Sequence, residues 1–193
     1  MRVGGIEGGL SIVLKPVGCC CSVSAMSRND EKLKKLLDEV TSSEAKYVAC
    51  LELIVEKYAI PLKQLGRKGD VELLLINRIF SNIEDLYNFH KLFFSTLKEQ
   101  ITAAGIANTF LKYADFLKMY TLFVNNYDRC CDAVDRLRKN DKFQSFLAHA
   151  RKDKSSQGNN LMSFLIMPVQ VWRGIAFYRF VSLSISDFFR SFG

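Results

Sequence analysis

The sequence predicts an all-α fold, an elongated antiparallel helical bundle, from three observations. Apolar residues recur with the 3.6-residue helical period through most of the chain. Only 3 prolines occur in 193 residues, and the glycines thin out after Gly18, so a long middle is free of helix breakers. No strand-like alternation of useful length and no repeat of fixed period competes. With 49% hydrophobic and 24% charged residues, the chain has material for one domain with a real core.

Residues 1 to 27 are Gly-rich and unpatterned and read as a flexible leader. The first amphipathic stretch, residues 30 to 61, carries Leu33, Leu36, Leu37, Val40, Tyr47, Val48, Leu51, Ile54, Val55 and Tyr58, and Pro61 is expected to help end it. Gly66 and Gly69 mark a loop. A second helical region then presents Ile76, Ile79, Phe80, Ile83, Leu86, Tyr87, His90, Phe93, Phe94, Leu97 and Ile101 on one face, with a turn at Gly105. A third long helix follows through Phe110, Tyr113, Phe116, Leu117, Tyr120, Phe123, Val124, Tyr127, Val134 and Leu137, about 50 Å long at 1.5 Å per residue. A fourth holds Phe143, Phe146, Leu147 and Ala150. After a polar loop over residues 155 to 160, a fifth begins with Leu161, Phe164 and Leu165.

The net charge of +7 does not point to nucleic acid. Arg2, Glu7 and Lys15 give the first 26 residues +1; Arg173, Arg179, Asp187 and Arg190 give the last 23 +2; the remaining +4 is interspersed with acids, as on solvated helix faces. The 6 cysteines (Cys19, Cys20, Cys21, Cys50, Cys130, Cys131) have no metal-ligand spacing and form no disulfide framework, which fits a reduced, cytoplasmic protein. An acylated anchor at Cys19 to Cys21 lacks a glycine at position 2 and a polybasic partner. Glu7 and Lys15 interrupt the only candidate secretory stretch, and no clean apolar run reaches membrane-spanning length.

Chemistry-bearing motifs are absent from the sequence. No phosphate-loop lysine follows Gly4-Gly5 or Gly8-Gly9, and there is no nucleophile elbow, zinc helix or kinase set. No cofactor or metal is implied. Of the 2 histidines, His90 falls in an apolar stripe and reads as a packed, hydrogen-bonded core residue, and His149 reads as surface. One polar residue stands out, because the apolar stripe of the first helix passes through Glu44 between Val40 and Tyr47. Two readings compete: Thr41 and Glu44 form a capping box, or the helix runs through and Glu44 is exposed for a partner.

The segment from Thr41 through Glu44, Tyr47, Leu51 and Tyr58 to Pro61-Leu62 resembles the first conserved region of Dbl-homology domains, E-x-x-Y-x-x-x-L with a later proline. In the family's order follow Phe80-Ser-Asn-Ile-Glu-Asp-Leu-Tyr-Asn-Phe-His90, Phe110-Leu-Lys-Tyr-Ala-Asp-Phe116, Tyr120-Thr-Leu-Phe-Val-Asn-Asn-Tyr127, Asn140-Asp-Lys-Phe143 and Leu165-Ile-Met-Pro-Val-Gln170. The resemblance covers roughly residues 30 to 170. It implies a helical bundle that binds a Rho, Rac or Cdc42-type GTPase and speeds GDP release without making or breaking a covalent bond. It also implies that Glu44, aligned with the glutamate that contacts switch I, and Gln170 belong to the GTPase-binding surface. On this resemblance Glu44 is expected to be exposed, near the start of the fifth helix.

After Gln170 the family continues with an arginine-led helix that contacts switch II, and here Val171-Trp172-Arg173-Gly174 does not match. The organisation expected is therefore a leader over 1–27, a partial Dbl-homology domain over 28–170 and a divergent tail over 171–193. Such a chain is expected to exchange nucleotide poorly or not at all, although the parent domain should be active. The alternative is a noncatalytic helical interaction module that keeps the fold.

Overall fold

The computed structural model describes residues 28–100, 102–153 and 158–171, and the described residues are helical, with no strand among them. The expected leader, the Cys19 to Cys21 triplet and nearly all of the expected tail lie outside these residues. Helix α1 (Arg28–Leu53) runs into a π-helical turn (Ile54–Ala59) and then α2 (Ile60–Arg67). The helical path does not stop at Pro61. Ile60 N–H reaches back five residues to Val55 O, and the widened turn delivers Pro61 to the first turn of α2, where a missing N–H is tolerated. The break comes later: Gly69 N–H returns to Gly66 O at 3.1 Å, and Gly69 takes φ 82, a conformation glycine adopts without a Cβ clash.

The second predicted region is two helices, α3 (Leu73–Phe80) and α4 (Ile83–Lys98), divided at Ser81 and Asn82. Asn82 Nδ2 donates to Met119 O at 3.0 Å, which ties the break to a distant helix. Ser81 is held at φ 44, the positive-φ side of the map where a side chain is strained. Ser81→Gly is therefore expected to raise stability by about 1 kcal/mol, read as an upward shift of the urea midpoint at unchanged slope. A lower midpoint would show that the serine side chain contributes more than its backbone costs.

Helix α5 (Ala103–Tyr113) begins before Gly105 rather than after it, because the Thr102 side chain caps it by accepting from Gly105 N–H at 3.1 Å. A 3-10 segment (Ala114–Lys118) leads into α6 (Met119–Leu137). Its tighter winding rotates the apolar stripe from Ala114 onward. Phe110 and Phe116, expected inward, are 40% and 52% exposed, lying against Phe93 and Phe89 with ring centroids 5.0 and 5.7 Å apart. Asn140 caps α7 (Asp141–Lys152) by accepting from Phe143 N–H, and its Nδ2 donates to Asp70 O, clamping this corner to the α2–α3 loop. Asn160 caps α8 (Leu161–Leu165), and the backbone is helical again over 167–171.

Packing follows the apolar faces. Helix α1 lies on α4, α3 on α6 and α8 on the π-helical turn. Tyr58, Phe80, Tyr120, Phe123 and Phe143 are the largest fully buried side chains, all in the main core, and Phe89, Phe93, Leu97, Ile106 and Tyr113 form a second cluster between α4 and α5. Among the described residues, no helix is long and apolar enough to cross a membrane, and no group of side chains could hold a metal.

Cys50, Cys130 and Cys131 are free thiols. Burial pushes the Cys50 thiol up to about 11 and the Cys130 thiol up to about 12, from an ordinary 9.0. Burial also raises the Tyr47 and Tyr120 phenols above their ordinary 10.0. The folded chain keeps these protons at a pH where the unfolded chain has lost them, so their contribution is complete below about pH 9 and falls as pH rises beyond it. The expected result is a urea midpoint that declines above about pH 9, and less steeply in Cys130→Ala. A midpoint rising there would contradict the assignment.

Candidate functional site

Glu44 sits in the middle of α1, where a capping box cannot form. The Thr41 hydroxyl instead donates back to Leu37 O at 2.9 Å, the usual bond of a mid-helix threonine. The capping reading is overturned, and the helix runs through this position. Nor is Glu44 as open as expected. Its side chain is 15% exposed, and Oε1 lies 2.6 Å from Nδ1 of His90 on α4.

Behind Glu44 stands a buried polar chain. His90 is 2% exposed; its Nε2 lies 2.7 Å from the Tyr120 hydroxyl on α6, which lies 2.9 Å from the Tyr47 hydroxyl on α1. The path leaves α1 at Glu44 and returns to it at Tyr47, about one turn further on, after crossing α4 and α6. Ring edges enclose the imidazole: Tyr47 and Phe89 each lie 4.8 Å from it, centroid to centroid, at steep angles. Among the described residues, no buried side-chain nitrogen or oxygen lacks a hydrogen-bond partner. His90 is thus the hydrogen-bonded core residue that its stripe position predicts. The stripe alone does not reveal that its partner is Glu44.

Gln170 is exposed in the helical segment 167–171, its N–H donating to Ile166 O at 3.0 Å. This segment is held to α1 three residues earlier, where the Cys50 thiol donates to the Met167 thioether at 3.1 Å. Glu44 lies about 9 Å from Cys50 along α1, at 1.5 Å per residue. His149 is exposed, as expected.

The RhoGEF domain family matches residues 36–171. Human "FYVE, RhoGEF and PH domain-containing protein 4" is 28% identical over 148 residues, covering 74% of this chain and 19% of that protein. The Dictyostelium discoideum myosin-M heavy chain is 31% identical over 143 residues, covering 70% of this chain and 8% of its own length. Human Rho guanine nucleotide exchange factor 9 is 29% identical over 160 residues, covering 79% of this chain and 30% of its own. The chain therefore spans less than a third of each of these relatives. Among solved structures, the Vav1 exchange factor superposes with a TM-score of 0.66 at 23% identity, covering 72% of this chain and 38% of that one. The linker-DH/PH domains of p115-RhoGEF give 0.65 at 19%, covering 72% and 45%; at these identities the likeness is one of fold. With the family matched over more than half its length, the chain belongs to the RhoGEF domain family.

Proposed function

We propose that this chain acts on a Rho, Rac or Cdc42-type small GTPase, promoting GDP release by binding the switch regions through Glu44 and Gln170. The observation that carries the reading is the family match over residues 36–171, which includes both residues. Support also comes from Glu44 itself, a carboxylate set into an apolar helix face and held by one oxygen. No covalent chemistry is involved. A binding protein shifts a partner's equilibrium only by the difference between its affinities for the two states, so the chain must prefer the nucleotide-free GTPase to the GDP-bound form. A preference of about 3 kcal/mol would correspond to a ratio above a hundredfold.

The test measures binding to Rho, Rac and Cdc42-type GTPases in parallel, each stripped of nucleotide with EDTA or loaded with GDP and Mg²⁺, beside release of fluorescent GDP. The expected result is tighter binding of at least one stripped GTPase, with faster release. Equal affinity for the two forms would instead identify a noncatalytic interaction module. No binding to any of them would overturn the reading.

A further inference from the structure

We propose that His90 is a positioning residue for Glu44, held from behind by Tyr120 and Tyr47, so that a carboxylate on a flexible side chain is set in place before a partner arrives. The inference rests on the reading of Glu44 as a partner-binding residue. A glutamate on a helix surface has three rotatable bonds, and fixing them on binding costs affinity that a preset side chain does not lose. Here Oε1 is engaged by His90 Nδ1 at 2.6 Å, which leaves Oε2 as the oxygen to offer outward. Because a carboxylate can only accept, we place the hydrogen between them on Nδ1.

The imidazole can impose a direction because it is itself fixed. Turning its ring over would break the bonds at both Nδ1 and Nε2, and Tyr47, Phe89, Phe93 and Tyr120 pack around it edge to face. At 2% exposure His90 is out of reach of a partner, so any effect it has on binding passes through Glu44. The Tyr120 and Tyr47 hydroxyls close the path back onto α1, which makes the orientation of Glu44 depend on the mutual placement of α1, α4 and α6.

The experiment uses the native chain and whichever stripped Rho, Rac or Cdc42-type GTPase it binds most tightly. His90→Phe removes both nitrogens and should weaken binding about tenfold. His90→Asn carries its amide near the Nδ1 position and should recover most of that loss. His90→Gln reaches the Nε2 position instead and should not. In a Glu44→Ala background, His90→Phe should cause no further loss, since a residue that acts through another has no effect once that other is gone. Equal losses in the Asn, Gln and Phe variants, or an undiminished effect in the Glu44→Ala background, would reduce His90 to packing. If Glu44→Ala itself leaves binding unchanged, the reading of Glu44 fails and the positioning proposal falls with it.

A spectroscopic readout needs no partner and does not require the Phe variant to fold. With only 2 histidines in the chain, the His90 Nδ1 proton should appear as a strongly downfield signal in NMR spectra of the free protein. Glu44→Ala should abolish it, and Tyr120→Phe should shift it. Its absence from the native spectrum would overturn the proposal whatever the binding data show.

Discussion

Glu44→Ala is expected to weaken the complex with nucleotide-free GTPase by about a hundredfold, the equivalent of about 2.7 kcal/mol. On the proposed function Glu44 is an interface carboxylate, and truncating one partner of a buried, hydrogen-bonded charge pair costs about 2 to 5 kcal/mol, much of it from the partner group left unpaired. The substitution also strips the buried His90 Nδ1 of its acceptor, which should lower folding stability by about 1 to 3 kcal/mol. Glu44→Gln separates the two effects. Its amide oxygen can still accept from Nδ1, so stability should stay near the native value, while loss of the charge leaves binding between the native and alanine levels. Parallel affinity measurements and urea titrations of the three proteins check this. An alanine variant that binds as tightly as the native chain would remove Glu44 from the interface.

How far this site is legible in the sequence depends on the range of the interactions that build it. Glu44 and His90 are each visible as a polar residue set into an apolar stripe, and two such interruptions on separate helices are a signal that the pair could meet. Their contact spans 46 residues of sequence, and only the packing of α1 on α4 creates it. Tyr47 and Tyr120 read as core by periodicity, and both are buried, but periodicity carries no information about where a hydroxyl points. The capping box fails because capping is decided by whether a helix is already running, and the stripe that begins upstream of Thr41 decides it.

The helices themselves were legible because the 3.6-residue pattern is local. Their joints were not. Pro61 is carried by a π-helical turn, and the break at Ser81 and Asn82 has no glycine or proline to announce it; it is stabilised by a bond to Met119 O, 37 residues away. Phe116 is displaced for a related reason, since a change of winding from 3.6 to about 3.0 residues per turn over Ala114–Lys118 shifts every later position on the stripe; Phe110 precedes that segment, on α5, where its ring lies against Phe93 of α4.

Phe80→Ala is expected to lower stability by about 3 to 5 kcal/mol, the range for deleting a fully buried ring and leaving a cavity. Phe80 has no exposed surface and closes α3, an eight-residue helix too short to persist in isolation. Four of those eight residues, Leu75, Ile76, Ile79 and Phe80, are buried, and α6 is the main element against which α3 packs. The order of that helix therefore depends on this face, and a domain of this size has about 5 to 15 kcal/mol in total. Leu74 lies one residue from the buried face and is 63% exposed, so Leu74→Ala should change stability by no more than about 0.5 kcal/mol. Urea unfolding of both variants, followed by far-UV circular dichroism, tests the register of α3: the Phe80 variant should show a midpoint far below native and the Leu74 variant one close to it. Comparable losses at the two positions would mean that α3 presents a different face to α6.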